Sequence, residues 1–269
     1  MMKKLIALLT AFLAVLSLFA CTAKPADTDA ADSDWTYISG KGTLIVGITE
    51  YAPMNYYDAN GELIGFDTEL TRAVCGKLGI SPEFQVIEWD SKEIELAGKT
   101  IDCIWNGLTV TEERRANMDF TDDYLLNRQA VVVRADTAAA YPDTAAFAGC
   151  TVVAEAGSAG ADAVLAAMPD ANFVEVAAQS DALLEVKAGT ADAAVVDVTM
   201  ALAMVGEGSD YADLKLLDIE MPGERYAVGF RLGSDVTDKV SGAIAALYAD
   251  GTVAALAEKY GVTDLLIAG

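Results

Sequence analysis

Strand-like and helical segments alternate along most of this sequence, and this alternation restricts the possible folds more than any other feature. Leu70, Val74 and Leu78, for example, recur on one face of a helix, and Asp67 is placed to cap that helix. Strands that alternate with helices of this length predict an α/β protein whose parallel sheets are covered on both faces. The strand-like runs are rich in β-branched residues, are bounded by Gly, Pro or Asp, and lie at residues 43–49, 83–89, 101–109, 129–135, 151–155, 172–176, 193–198, 214–219 and 226–232.

The N-terminus has the pattern of an export signal. Lys3 and Lys4 precede an apolar run over residues 5–19, and this run is shorter than the roughly 20 apolar residues that a membrane-spanning helix needs. We therefore expect a signal peptide at residues 1–20. Residues 18–21 read LFAC, which resembles the lipobox of bacterial lipoproteins and makes Cys21 the expected lipidation site. An ordinary signal peptide with an incidental Cys21 remains an alternative.

The segment after Cys21 is polar and acidic and contains Pro25. Such a composition buries too little apolar surface to fold, so we expect residues 21–40 to be a flexible tether. The rest of the chain is long enough for one large domain or for two lobes.

Charge and residue types exclude several classes of function. The chain has 41 acidic and 18 basic residues, a formal net charge of −23, and no His. Such a surface repels nucleic acid and anionic lipid headgroups, and without His the commonest general base and metal ligand is missing. Apart from Cys21, the cysteines are Cys75, Cys103 and Cys150, and their spacing matches no zinc site. We expect no metal and no cofactor, and buried structural thiols; a Cys75–Cys103 disulfide is left open.

Ligands of open α/β sheets bind beyond the carboxyl ends of the strands. The residues that follow each predicted strand are therefore the candidates for a binding site. Four groups stand in such positions: residues 50–54 with 61–67, residues 89–90, residues 107–114, and residues 157–160 together with Asp197.

In this order, these groups resemble the family-3 extracellular solute-binding proteins, which are the amino-acid receptors of ABC transporters. The resemblance spans residues 41–261 and rests on seven anchors: GTLIVG at 42–47, YAP at 51–53, GFD at 65–67, TVTEER at 109–114, DFT at 119–121, Gly189 with DA at 192–193, and DGT at 250–252. It implies a periplasmic-binding-protein-like (type II) fold, with two α/β lobes and a ligand cleft between them. Lobe 1 would comprise residues 41–130 and 228–269, and lobe 2 residues 131–227, with crossing segments near 129–135 and 222–230.

The resemblance also implies a site for a zwitterion. Arg114 would bind the α-carboxylate through its planar guanidinium, assisted by the amides of Ser158 and Ala159 at a helix N-terminus. Without the resemblance, Arg114 could equally be a surface residue or part of a structural ion pair. Residues 157–158 could be a tight turn as well as an anion site.

The ammonium and the side chain of the ligand would meet the remaining candidates. The resemblance implies that Asp197, the Gly107 carbonyl and the Thr109 hydroxyl accept from the ammonium, with Asn106 beside them. Asp197 could instead cap a helix. The expected side-chain contacts are aromatic walls at Tyr51 and Trp89, which could instead be core aromatics, and an acid at Glu50 that would suit a cationic side chain.

The expected function is the extracytoplasmic substrate-binding component of an ABC importer. It would capture an amino acid, polar or basic, by hinge closure and present it to the permease. The expected protein is a monomer that a lipid on Cys21 holds at the outer face of the cell membrane. Two alternatives stay open: an amino-acid-sensing lipoprotein, and a dehydratase-like enzyme on the same fold. We expect no enzyme, since general acid–base work would have to fall to Glu50 or Asp197.

Overall fold

The computed structural model describes residues 33–267. The predicted signal peptide, the expected lipidation site Cys21 and the predicted tether as far as residue 32 lie outside the described residues. The strands in this range are β1 (Thr43–Ile48), β2 (Tyr56–Tyr57), β3 (Leu63–Ile64), β4 (Ser81–Val86), β5 (Cys103–Ile104), β6 (Met118–Phe120), β7 (Leu125–Arg134), β8 (Thr151–Glu155), β9 (Asn172–Val176), β10 (Ala193–Asp197), β11 (Leu214–Leu216), β12 (Gly223–Tyr226) and β13 (Gly229–Arg231). The helices in the same range are α1 (Asp34–Lys41), α2 (Phe66–Leu78), α3 (Lys92–Ala97), α4 (Glu112–Arg115), α5 (Ala159–Ala167), α6 (Gln179–Ala188), α7 (Val198–Met204), α8 (Thr237–Ala249) and α9 (Thr252–Tyr260).

The strands form two separate larger sheets, one for each lobe. The sheet of lobe 1 has the order β4-β1-β5-β13-β6, and that of lobe 2 has the order β11-β7-β10-β8-β9. The largest apolar cluster extends through both lobes and includes Leu183 and Val186 of lobe 2. Leu44 and Val46 of β1 pack in the same cluster as Leu70 and Val74 of α2, whereas a second cluster is built on valines of β7, β8 and β10 in lobe 2. The architecture is therefore α/β with two lobes.

The sheets are mixed, so the prediction of purely parallel sheets is wrong. β1 runs parallel to β4 and β5, and β8 runs parallel to β9 and β10. In contrast, β13 is antiparallel to β5 and β6, and β7 is antiparallel to β10 and β11. The reversed strands β7 and β13 belong to the segments that connect the lobes. Because the chain crosses to lobe 2 and later returns, these strands enter their sheets from the end opposite to that of their neighbours.

The connection between the lobes is a two-stranded antiparallel ribbon. The first half of β7 pairs with β12, from Leu125 opposite Tyr226 to Arg128 opposite Gly223. The second half of β7 then pairs with β10 and β11 of lobe 2, while the chain beyond β12 enters lobe 1 as β13. The predicted lobe limits at 130/131 and 227/228 fall within β7 and between β12 and β13. The first crossing starts at residue 125, earlier than the predicted 129.

The last part of the predicted tether is folded, so the expectation of a flexible segment up to residue 40 is wrong. Residues 34–41 form helix α1, which begins at Ser33, whose hydroxyl accepts from the Thr36 amide at 3.0 Å, and ends at Gly42 with φ +71°. Its Ile38 is fully buried. One buried apolar residue helps to dock this short helix on lobe 1. The average composition of the acidic segment gives no sign of that residue.

A buried charge network holds α1 on lobe 1. Arg231 donates to the Asp34 carboxylate at 2.9 Å and lies 3.5 Å from Asp102. Lys41, at the end of α1, is 2.6 Å from the same Asp102, which also accepts from the Ile45 amide.

The predicted cap of helix α2 is wrong. Asp67 lies inside α2, and Gly65 occupies the N-cap position.

The three cysteines within residues 33–267 are unpaired, and Cys75 and Cys103 are both buried. The structure therefore shows structural thiols here and not the alternative Cys75–Cys103 disulfide. Burial raises the pKa of Cys75 to about 12, so this thiol stays protonated at neutral pH.

No single helix of the described part of the chain has the length and apolarity to cross a membrane. Helices α8 and α9 have this length and apolarity only when taken together, and the pair is bent by 81°.

The packing of α1 gives a first prediction. Ile38→Ala should lower the free energy of unfolding by about 2 to 4 kcal/mol, because it leaves a cavity under a docked helix. Urea unfolding measures this change. Thr36→Ala, on the exposed face of the same helix, is the matched control and should change stability by less than about 0.5 kcal/mol. Equal effects of the two substitutions would mean that the segment is not packed.

Candidate functional site

A small cavity lies where the two lobes meet. Its volume is about 10 Å³, about the space that one water molecule needs. A larger solute can therefore enter only when the lobes separate or the side chains move. The lining residues come from both lobes: Trp89, Asn106, Gly107, Thr109, Arg114, Glu155, Ser158, Ala159, Gln179 and Asp197.

Two larger surface grooves lie elsewhere. One, of about 620 Å³, is lined largely by apolar residues of α8 such as Ile244 and Tyr248. The other, of about 570 Å³, lies between the β6 region and the start of α8. Neither is lined by residues of both lobes. A further groove, of about 120 Å³, is lined by residues of both lobes such as Pro53 and Thr199, but by no charged side chain. We therefore locate the candidate site in the interlobe cavity, where buried charged groups converge.

Arg114 is the cation that lines the cavity. It lies on the short helix α4, which begins at Thr111, whose hydroxyl accepts from the Arg114 amide at 3.1 Å. The guanidinium is buried and donates to the carbonyl oxygens of Thr109 at 2.7 Å and of Gly157 at 3.1 Å. Burial lowers the pKa of Arg114, but an arginine stays charged in proteins. It pairs with no carboxylate among residues 33–267, so it is neither a surface residue nor part of a structural ion pair.

A second cation, Lys92, reaches the same point and was missed by the sequence analysis. It is the first residue of α3, is buried, and donates to the carbonyl oxygens of Gly157 at 2.9 Å and of Trp89 at 3.2 Å. Its ammonium lies 5.0 Å from the centre of the Trp89 ring. Burial lowers the pKa of Lys92 to about 8. In the sequence, the sign of a role for Lys92 in the site was its position three residues after Trp89, which was itself a predicted site residue.

The turn before α5 supplies the lobe 2 side of this contact. Gly157 has φ +65°, and a Cβ there would lie 2.8 Å from a carboxylate oxygen of Asp90 in lobe 1. Ser158 caps α5 through its hydroxyl, which accepts from the Ala161 amide at 3.1 Å. The Ser158 amide donates to the backbone carbonyl of Glu155 at 3.2 Å, so the expectation that this amide is free for an anion is wrong here. The Ala159 amide has no hydrogen-bond acceptor within residues 33–267.

Asp197 ends β10 and is held by three side-chain amides. One carboxylate oxygen accepts from Asn127 at 2.5 Å and from Gln129 at 2.8 Å, and the other accepts from Gln179 at 2.5 Å. It occupies the N-cap position of α7 but makes no capping bond, so the helix-cap alternative fails. Burial raises the pKa of Asp197. Gln179 was a second missed residue.

Thr109 and Gly107 connect the cavity to two further acids, of which Glu224 is half-buried and Asp67 is buried. The Thr109 hydroxyl donates to Glu224 at 3.0 Å. The Gly107 amide donates to Asp67 at 2.7 Å, and burial raises the pKa of Asp67 to about 7. Gly107 has φ +57°, and a Cβ there would lie 2.7 Å from the ring of Tyr51, so the position requires glycine.

The side chain of Asn106 lies at the cavity but is fully used within lobe 1. It accepts from the amide and hydroxyl of Thr49 and donates to the Thr49 carbonyl and to Asn55, at 2.7 to 3.0 Å. An amide side chain can make four such bonds, and all four are made. Asn106 therefore positions the end of β1.

Two predicted site residues do not line the cavity. Tyr51 is buried beside Gly107, and its hydroxyl bonds those of Thr199 in lobe 2 and Tyr226. Glu50 is exposed at the end of β1. The chain turns immediately after it, with bonds between Tyr51 and Asn55, and leaves the carboxylate outside the cleft. The other eight predicted residues surround the cavity.

Glu155 is the third missed residue, and it borders the cavity. It is the last residue of β8, is 2% exposed, and its Oε1 has no hydrogen-bond partner among the described residues. Burial, and then the charge of Asp197, raise the pKa of Glu155 to about 8. The sequence signal was an acid at the end of an apolar strand, two residues before Gly157.

The titration of Glu155 predicts how stability depends on pH. Between an ordinary pKa of 4.5 and about 8, the folded protein binds more protons than the unfolded chain, so this residue makes unfolding easier as the pH rises. Glu155→Gln removes the effect. Without added solute, its stability relative to wild type should grow from pH 4.5 to pH 8 and reach about 1 to 3 kcal/mol.

Urea unfolding at a series of pH values checks this prediction. Glu175→Gln, at an exposed position on the adjacent strand β9, is the control and should stay within about 0.5 kcal/mol of wild type throughout. A difference between Glu155→Gln and wild type that does not change with pH would contradict the assignment.

Comparisons with known proteins bear on the family and on the fold. Residues 44–263 match the family described as bacterial extracellular solute-binding proteins, family 3. The arginine-binding extracellular protein ArtP of Bacillus subtilis is 27% identical over 262 residues, which cover 96% of this chain and 98% of ArtP. The L-cystine-binding protein TcyJ of Escherichia coli strain K12 is 26% identical over 233 residues, covering 85% and 86%. The crystal structure of Tv2483 bound to L-arginine superimposes with a TM-score of 0.81 at 28% identity, covering 87% of this chain and 96% of that one.

Proposed function

Because the chain belongs to the bacterial extracellular solute-binding proteins of family 3, we propose that it captures an amino acid between its lobes and delivers it to the permease of an ABC importer. The observation that carries the proposal is the composition of the interlobe cavity. Arg114 and the free amide of Ala159 border it together with the carboxylate of Asp197. A zwitterion needs these two kinds of partner at once.

The α-carboxylate is assigned to Arg114. A guanidinium has five N–H donors, and among residues 33–267 two of them are used, on the carbonyls of Thr109 and Gly157. The remaining donors, together with the Ala159 amide at the start of α5, suit two carboxylate oxygens.

The α-ammonium is assigned to Asp197. A carboxylate has about four acceptor positions, and amides fill three of them in this protein. The three amides fix the orientation of Asp197 before any ligand arrives, so less ordering accompanies binding.

Closure follows from the division of these groups between the lobes. Arg114, Thr109 and Trp89 belong to lobe 1, whereas Ala159 and Asp197 belong to lobe 2. A ligand that contacts both sets binds the closed arrangement better than an open one and shifts the population towards it. We propose that the permease responds to this closed form, and that binding proceeds without turnover of the ligand.

A thermal-shift screen against the proteinogenic amino acids, ornithine and citrulline tests the proposed function. A ligand at a thousandfold excess over its Kd stabilises the folded state by about 4 kcal/mol, so a bound amino acid should raise the Tm clearly. Analysis of the recovered ligand should show it unchanged. If no amino acid raises the Tm, the proposed substrate class is wrong; conversion to a product would favour the dehydratase-like alternative.

Arg114→Ala should abolish this shift while the protein still unfolds cooperatively. The loss of a buried carboxylate partner costs about 2 to 5 kcal/mol of binding, that is, a factor of about 30 or more in Kd. Arg115→Ala, at the exposed neighbouring position on α4, is the control and should bind like wild type. Unchanged binding by Arg114→Ala would refute the assigned carboxylate site.

We further propose that a lipid on Cys21 anchors the receptor at the outer face of the cell membrane, after removal of residues 1–20 as a signal peptide. Support comes from the LFAC sequence at residues 18–21 and from the extracellular location of the family. Stable anchoring takes more than one acyl chain, as in multiply acylated lipoproteins.

Fractionation of cells that express the full chain tests the anchor. Wild type should require detergent for release, and Cys21→Ser should appear in the soluble extracytoplasmic fraction. Cys150→Ser, which alters another cysteine, should remain with the membrane. A Cys21→Ser variant that stays in the detergent fraction would show that the attachment does not depend on this residue.

A further inference from the structure

Glu155 has no task in the binding of an α-carboxylate and an α-ammonium. It borders the cavity, is 2% exposed, and one of its carboxylate oxygens lacks a hydrogen-bond partner within residues 33–267. A buried carboxyl oxygen without a partner costs free energy, so its retention beside a ligand cavity points to a partner that the ligand brings.

Neither nearby cation takes that role. Lys92 directs its ammonium to the carbonyls of Gly157 and Trp89, and Arg114 directs its guanidinium to those of Gly157 and Thr109. Within the described part of the chain, Glu155 forms no ion pair with either.

Acidic groups also outnumber basic groups around the cavity. The two cations Arg114 and Lys92 face four carboxyl groups that border the cavity or bond to residues that do: Glu155, Asp197, Glu224 and Asp67. Burial raises the pKa of Asp67 to about 7 and that of Glu155 to about 8, so near neutral pH both are at least partly protonated. A ligand with an additional positive charge favours the ionised form of Glu155, whereas one with balanced α-groups does not.

The two lining acids are placed for two different positive groups. Asp197 ends β10 and Glu155 ends β8, and these strands are direct neighbours that run parallel in lobe 2. Their carboxyl ends therefore lie at the same edge of the sheet. Asp197 is already oriented by three amides, whereas Glu155 retains an unused acceptor oxygen.

We propose that Glu155 binds a cationic group on the ligand side chain, so that the receptor selects basic amino acids over neutral ones of the same shape. This inference rests on the proposed function and specifies its ligand class. It gives Glu155 the part that the sequence analysis assigned to Glu50, which is exposed and outside the cleft.

Isothermal titration of the wild-type protein with matched ligand pairs tests the selection. Arginine and citrulline have nearly the same shape, as do lysine and 2-aminoheptanoic acid, and in each pair only the first carries a side-chain charge. We expect the charged member of at least one pair to bind about 30-fold more tightly or better. If neutral members bind as tightly as charged ones, or if the protein takes only neutral amino acids, this inference is overturned and the proposed function stands.

Glu155→Gln tests the residue itself, because it keeps the shape and removes the charge. The preference for the charged member should fall at least about tenfold, through weaker binding of that member. Glu175→Gln, exposed on β9, should keep the wild-type preference. Circular dichroism and the Tm establish that each variant is folded. An unchanged preference in folded Glu155→Gln overturns the assignment, whereas a wild type that binds no amino acid refutes the proposed function and this inference with it.

Discussion

The carbonyl oxygen of Gly157 in lobe 2 accepts from both buried cations of lobe 1, Arg114 and Lys92, and the arrangement of the cleft depends on this shared contact. Each cation donates to this carbonyl and to one carbonyl of its own lobe, and neutral acceptors are weak partners for charges that have been removed from water. The cations are therefore held in position but remain under-neutralised. A ligand carboxylate brings the negative charge that the carbonyl lacks, and it would meet groups that are already oriented.

The strands that connect the lobes also take part in the site. Asn127 and Gln129 lie on β7, the strand that leaves lobe 1 and enters lobe 2, and each donates both to Asp197 and to Glu224 of the returning strand β12. The acid proposed for the ligand ammonium is thus bonded directly to β7 and linked to β12 through these two amides. Rotation of one lobe against the other changes the backbone where these amides are attached, so the angle between the lobes and the orientation of Asp197 are mechanically linked.

The sequence could predict most of the lining of the cleft because strand ends and helix starts mark it. Asp197 follows an apolar strand, and Ser158 precedes a helix, so both positions were found from local patterns. Lys92 and Gln179 could not be found in this way, because their roles depend on which loop of the other lobe lies opposite them. The prediction for Glu50 failed for a similar reason. The turn that begins at Tyr51 decides on which side of the chain the Glu50 carboxylate lies. Helix α1 was missed because its stability comes from one buried apolar residue, Ile38, and from the ion pairs of Asp34 and Lys41. The acidic composition of the segment does not reveal either.

Glu155 shows how a local cost in stability can serve selectivity. Burial raises the pKa of this residue to about 8, so near neutral pH a substantial fraction of the protein carries a protonated, uncharged Glu155. A cationic group beside it favours the ionised form and releases the proton, whereas a neutral ligand leaves the protonated form in place. The free energy that the unliganded protein loses by burying an unpartnered acid is thus recovered with one class of ligand and not with the other. Discrimination arises from this difference between two bound states, and it requires no bulky group that excludes the neutral ligand.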